Sequence, residues 1–403
     1  MKTELVSLNP FSQANRNARL ETTFSQIENR LELAHQTTLG YPYNLSFAPS
    51  PPASLSGYLI NNLGDPYAGS PYASEVCAQE REAMTWLMRL WGCHNLDDYW
   101  GAVGASGTEG NLWGVYLGRE MLANAVLLHS ADAHYSIPKA ARILRVPSLQ
   151  VASLPNGEID LADFAGHLTA LKGREVIVCL TCGTTLKGAH DDITGVLSAL
   201  KSAGYDKSRR YVHVDGALNA MVVPFLQHVP LNIQPSFEQD IDSLSTSGHK
   251  MIGTPMPCGA LVCRKHHITR ISRAMAHLQH NDTTLMGCRN GHAVLAMWAR
   301  LFGHGYGGYA HDALFCVNRA QALATKMRKI GADVLCNPHS LTVVFPEPPD
   351  QIMRSYQLVG KAGLAHAVVM PNVTDALLDR FVADYADWFG LKRQAINPAP
   401  LQK

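Results

Sequence analysis

The sequence carries almost no excess charge: 34 basic side chains against 33 acidic ones leave +1 over 403 residues. A surface so balanced offers no electrostatic footing to nucleic acid or to an anionic membrane, and neither is expected as a partner. No apolar run approaches the length that crosses a bilayer, and residues 1–17 lack the apolar centre of a secretory leader, so the chain reads as cytoplasmic. Cysteine points the same way: nine are scattered along the chain, an odd number, as expected of reduced thiols and not of a disulfide framework. Metal-ligand spacing is missing too. The 18 histidines form no HExxH or clustered pattern, and His266-His267 reads as a surface pair beside a strand end. Cys179 and Cys182 have CxxC spacing without a second pair, and Cys179 lies inside the apolar run 176–180, where a thiol acts as a small hydrophobe.

What is present is a repeat of strand, turn and helix that begins near residue 99. Before it come a helical stretch at 21–36, a proline- and serine-rich segment, a polar loop at 60–72 that reads as site-lining, and an amphipathic helix at 80–91. The strand 100–103 then runs into Gly104-Ala105-Ser106-Gly107-Thr108-Glu109-Gly110-Asn111, and a helix follows over 112–122. Small residues let the backbone approach an anion there, and free N–H groups with the Ser106 and Thr108 hydroxyls can donate to it, so a phosphate fits. Further strands are expected at 125–128, 150–152, 175–180 and 259–263, with helices at 161–171 and 193–203. His134 stands at the head of a helix, and the turn 182–189 sets Thr184 just after a core strand, at an edge where such sheets bind ligands. Glycines 303, 305, 307 and 308 read as a hinge into a helix at 310–330, and strands at 341–345 and 366–370 with a closing helix at 376–389 make a small α+β domain. The expected division is an N-terminal segment over 1–60, a large domain over 61–302 and a small one over 303–403.

Two stretches carry the chemistry. Tyr211-Val212-His213-Val214-Asp215-Gly216-Ala217 reads as a buried strand that ends on an acid, and a carboxylate at that edge needs a partner. Ser245-Thr246-Ser247-Gly248-His249-Lys250 ends in a lysine held in a tight turn, where partial drying favours the neutral, nucleophilic amine. An acid facing a pyridinium nitrogen and a lysine that carries an aldehyde are the two fixtures of a pyridoxal 5'-phosphate (PLP) site.

Taken together, His-Val-Asp-Gly-Ala (213–217) and Ser-Gly-His-Lys-Met-Ile-Gly (247–253) resemble the PLP-dependent group II amino-acid decarboxylases, in particular the bacterial histidine decarboxylases and plant serine decarboxylases. Gly-Thr-Glu-Gly-Asn (107–111), His-Tyr-Ser (134–136), Arg-Asn-Gly-His (289–292) and Ala-His-Ala-Val-Val-Met-Pro-Asn-Val-Thr (365–374) extend the likeness in order from about residue 40 to the C-terminus. It implies the type I fold of PLP enzymes, a doubly wound, mostly parallel sheet with a smaller α+β C-terminal domain. It also implies a homodimer whose N-terminal segment packs on the partner, with the active site at or near the interface. The residues it assigns to catalysis are Lys250 as the cofactor-bearing lysine, Asp215 beneath the ring nitrogen and His134 stacked on the ring. Ser106, Gly107, Thr108, Thr184, Ala217, Ser247, His249 and Cys288 would complete the cofactor site. Relatives carry serine where this chain has Cys288 and tyrosine where it has His277, which leaves the substrate side chain open. The implied reaction is decarboxylation, of L-histidine to histamine and carbon dioxide or else of serine. An aminotransferase or a non-catalytic PLP-binding protein would share Asp215 and Lys250.

Overall fold

The computed structural model describes residues 13–69, 72–275 and 280–396. Seven strands form the main sheet in the order Tyr99–Gly104, Gly259–Arg264, Ser243–Ser247, Arg210–Asp215, Val176–Thr181, Val126–Ser130, Ser148–Val151. Only Gly259–Arg264 runs against the others. Every residue of Val176–Thr181, Arg210–Asp215 and Ser243–Ser247 is buried, as expected of parallel strands covered by helices on both faces. Ser148, Leu149 and Gln150 are exposed, because that strand is the sheet's edge, while Val151 at its end is buried. The parallel strands end at Ser130, Thr181, Asp215 and Ser247, so those four residues share one rim. A doubly wound sheet binds its ligand at that rim.

A second, three-stranded antiparallel sheet pairs Leu364–Val368 with Thr342–Pro346 on one side and Val359–Lys361 on the other, and Asp375–Ile396 closes this smaller α+β unit. The helix Gly291–Lys329 joins the two units. The glycines expected to form a hinge lie inside it, and only Gly305 leaves helical geometry, at φ 66° and ψ 177°, a conformation that glycine adopts without strain. His267 also differs from expectation. The strand end is followed at once by the helix Lys265–Ile271, which folds back on the sheet, so His267 is buried against Tyr211 with Nε2 3.0 Å from Asp242 Oδ1. Cys179 is fully buried in the sheet, as its apolar surroundings suggest. No helix among the described residues is long and apolar enough to cross a membrane.

The loop 60–72, expected to line the site, has a different task in the single chain. Its Asn61–Leu63 segment pairs with Cys288–Asn290, and Asn62 Nδ2 donates to Glu80 Oε2 at 2.7 Å. Glu80 also accepts from Val103 N at 2.8 Å and pairs with Arg289, whose guanidinium reaches the carbonyls of Gly64 (2.8 Å) and Val103 (3.2 Å). Both charges are buried. Removing one member of such a pair leaves the other charged and dry, so Glu80→Ala is expected to cost about 3–5 kcal/mol of stability in urea unfolding. A loss under about 1 kcal/mol would show that water relieves Arg289.

Candidate active site

The rim of the sheet opens into a cavity of about 990 Å³ whose walls include Ser106, Gly107, Thr108, His134, Ala217, Ser247, His249 and Lys250. Asp215 is buried close enough for its charge to act on both His134 and Lys250. The sequence elements thus meet because their strands end side by side: Asp215 pairs in register with Ser245, two residues before Ser247. Lys250 follows in the turn Gly248–Ile252, which departs from helical geometry at Lys250 itself (φ −90°, ψ −123°). That turn is anchored from outside. Asn44 Nδ2 donates to Met251 O (3.0 Å), and Arg300 Nε (2.8 Å) and Tyr309 Oη (3.1 Å) both donate to Ile252 O. The strap that brings Asn44 here is tied to the small sheet by Val368 N to Leu39 O (2.7 Å) and His366 Nε2 to Gly40 O (3.0 Å).

Burial pulls the Lys250 ammonium below its ordinary range, and the Asp215 carboxylate pulls it part of the way back. A larger fraction of free amine follows, which is what a nucleophile toward an aldehyde requires. His134 is likewise lowered by burial, with Asp215 opposing and Lys250 assisting, which favours the neutral ring.

Asp215 is satisfied by a residue that the sequence reading quoted in a motif and gave no role. Asn111 Nδ2 donates to Asp215 Oδ2 at 2.8 Å, and Ala217 N donates to Oδ1 at 3.1 Å. Asn111 reaches this far because its helix, Gly107–Met121, lies almost on the sheet: a Cβ on Gly114 would stand 2.3 Å from His213 Nδ1. The same amide group touches Ser136 Oγ (2.9 Å), Ser245 Oγ (2.8 Å) and His213 Nε2 (3.1 Å). The glycine spacing Gly110-x-x-x-Gly114 around Asn111 was the signal available for this contact.

Thr184 and Cys288 stand apart from this group. Thr184 is buried, and its Oγ1 accepts from Ala189 N (3.0 Å) within its own turn, while Thr185 and Leu186 face the cavity. Cys288 is exposed beside Asn61 and lines no wall of the cavity in the single chain. His277 lies outside the described residues.

PLP fits the donor set. The start of the Gly107–Met121 helix, with the Ser106, Thr108 and Ser247 hydroxyls near it, offers donors to a phosphate. Gly107 leaves that approach open, since a Cβ there would stand 2.3 Å from Ser247 Oγ. His249 Nδ1 is buried beside Lys250 without a partner. A buried carboxylate that acts on Lys250, and that lysine in the cavity wall, complete what the pyridinium nitrogen and the aldehyde need. Sheet and site together define a PLP-dependent enzyme of the type I fold.

Comparison with known proteins agrees. Residues 116–346 match the pyridoxal-dependent decarboxylase conserved domain. The chain is 39% identical over 350 residues to serine decarboxylase 1 of Oryza sativa subsp. japonica, covering 87% of this chain and 72% of that one. It is 38% identical over 355 residues to the histidine decarboxylase of Pseudomonas fluorescens, covering 86% of each. Among solved structures, the L-methionine decarboxylase of Streptomyces sp. 590 shares the fold with a TM-score of 0.81, at 24% identity over 94% of this chain and 96% of that one. The chain belongs to the pyridoxal-dependent decarboxylase family.

The buried imidazoles of the site make stability depend on pH. His213 and His190, the latter accepting from Asn219 Nδ2 at 2.8 Å, are each held down to about 4 by burial, from 6.5. Their contribution is complete above pH 6.5, where the unfolded chain is also neutral, and it drains away as pH falls toward 4. From pH 6.5 to 5 each is expected to cost on the order of 2 kcal/mol. The unfolding free energy of the protein, from urea titration, should therefore fall by that much more than that of His190→Gln over this interval, and parallel pH curves would contradict the assignment.

Proposed function

We propose that the protein decarboxylates an L-amino acid, L-histidine to histamine and carbon dioxide. The observation that carries decarboxylation is the juxtaposition of a buried, amine-favouring Lys250 in the cavity wall with the buried Asp215 carboxylate that acts on it, in a chain of this family. Lys250 would hold the cofactor through its aldehyde, and Asp215 would keep the ring nitrogen protonated. His134 would pack against the ring, and Ser106, Gly107 and Thr108 would bind the phosphate with Ser247 and His249. Ala217 would border the ring, and Thr184 supports its own turn. When bound, PLP supplies the electron sink that accepts the pair left as the carbon–carboxylate bond breaks. The mechanism then requires a proton at the α-carbon to complete the amine.

Histidine is favoured by the aromatic wall. Tyr41 and Tyr43 stack at 5.4 Å and 11°, and Tyr43 lies 6.0 Å from His249, so a planar side chain entering here meets flat surfaces that a hydroxymethyl group would not use. Serine is the second reading, supported by the identity to serine decarboxylase 1.

A homodimer belongs to the same proposal. The helix Gln13–His35 exposes Leu20, Phe24, Ile27 and Leu31, one stripe at helical spacing that the described residues leave uncovered. A second copy covers such a stripe, and in that dimer Cys288 approaches the partner's phosphate site. The nine free cysteines suit a cytoplasmic setting.

The PLP-loaded protein incubated with the common L-amino acids, with each amine followed by mass spectrometry, is expected to yield histamine, and Lys250→Ala to yield none. Ethanolamine in its place would transfer the proposal to serine. Absence of any amine from cofactor-loaded protein would overturn it.

A further inference from the structure

The hydrogen bonds around Asn111 have a direction that can be worked out atom by atom. A carboxylate only accepts, so the Asn111 atom 2.8 Å from Asp215 Oδ2 is the donor Nδ2. Its second hydrogen goes to Ser136 Oγ at 2.9 Å. Oδ1 is left to accept, from Ser245 Oγ at 2.8 Å and His213 Nε2 at 3.1 Å. His213 therefore carries its proton on Nε2, and its Nδ1 accepts from Ser243 Oγ at 2.8 Å. Ser136 Oγ, having accepted from Asn111, has one hydrogen to give, and His134 Nδ1 lies 2.8 Å away. The same Nδ1 faces Ser136 N at 3.3 Å. A ring nitrogen that accepts from both carries no proton, so the proton of neutral His134 is on Nε2.

All four hydrogen-bonding capacities of the Asn111 amide are used, and Asn111 is 1% exposed. Turning the amide over would set Oδ1 against Asp215 Oδ2, two acceptors at 2.8 Å, and Nδ2 against the protonated Nε2 of His213. The charge on Asp215 forbids that arrangement. We propose that Asn111 is a positioning residue that converts the negative charge of Asp215, through Ser136, into a single Nε2–H tautomer of His134. The imidazole then meets the cavity with a donor and keeps its lone pair behind it. The proposal rests on the cofactor roles given above to Asp215 and His134, but the tautomer itself exists before substrate arrives and is measured separately.

Histidine side-chain NMR of the 15N-histidine-labelled, PLP-loaded protein without substrate reads the tautomer directly, with His134 assigned by the loss of its signals in His134→Gln. The expected spectrum has an unprotonated Nδ1 and a protonated Nε2, the minor tautomer lying below about one-tenth, as one competing hydrogen bond would enforce. Ser136→Ala, a small change that removes only the last link, should raise the minor form several-fold, and Asn111→Leu should do the same. Ser245→Ala removes a bond to Asn111 while sparing the path from Asp215 to His134, and should leave the tautomer as it was. A protonated Nδ1 in the unaltered protein would overturn the proposal, as would a tautomer indifferent to Ser136→Ala. An equal response to Ser245→Ala would reduce Asn111 to a packing residue and also overturn it. If no amine forms in the product assay while the tautomer behaves as stated, the functional reading fails and this one stands.

Discussion

A carboxylate buried at the end of a core strand is costly unless donors surround it, and the organisation of this protein follows from supplying them to Asp215. Two come from close by, the Asn111 amide and the Ala217 backbone. The first requires the Gly107–Met121 helix to press against the sheet, which in turn requires glycine where His213 meets that helix. The same approach brings the helix start, with Ser106, Gly107 and Thr108, to the rim beside Ser247. A donor arrangement for one buried charge thus also gathers at one rim the groups proposed to hold a phosphate.

Lys250 depends on a second set of contacts, from outside the large sheet. Its turn is pinned by Asn44, Arg300 and Tyr309, and Asn44 arrives on a strap bonded to the small domain at Leu39 and Gly40. The small domain therefore acts on the lysine through backbone carbonyls of the turn. Tyr41 and Tyr43 on the same strap form part of the cavity wall, so the element that holds the lysine also shapes the entrance.

Much of the fold was legible in the sequence because parallel strands announce themselves as short apolar runs ending on small or polar residues. Val176–Thr181 and Arg210–Asp215 were placed within a residue or two on that ground. The glycines of 303–308 misled for a physical reason: composition suggests a hinge, but a long helix packed on both units tolerates glycine, and only Gly305 departs from it. His267 escaped because two adjacent histidines look solvated, whereas burial was decided by Asp242, 25 residues away in sequence. Asn111 shows the same limit at the site. Its motif was visible, but its role depends on Asp215, Ser136, Ser245 and His213, which only the folded sheet assembles. Thr184 and Thr185 show the smallest case: of two adjacent threonines, one serves its own turn through its hydroxyl while the other lines the cavity.

The central claim is that Lys250 is the amine that carries the cofactor. Borohydride reduction of the PLP-loaded protein followed by peptide mass spectrometry tests it most directly, because reduction fixes the cofactor to whichever lysine holds it. The account predicts a single pyridoxyl-modified peptide containing Lys250, with Lys187, which pairs with Asp132 at 3.0 Å, and Lys361, which also lines the cavity, both unmodified. Modification at either of those in place of Lys250, or none in protein that retains the cofactor, would contradict it.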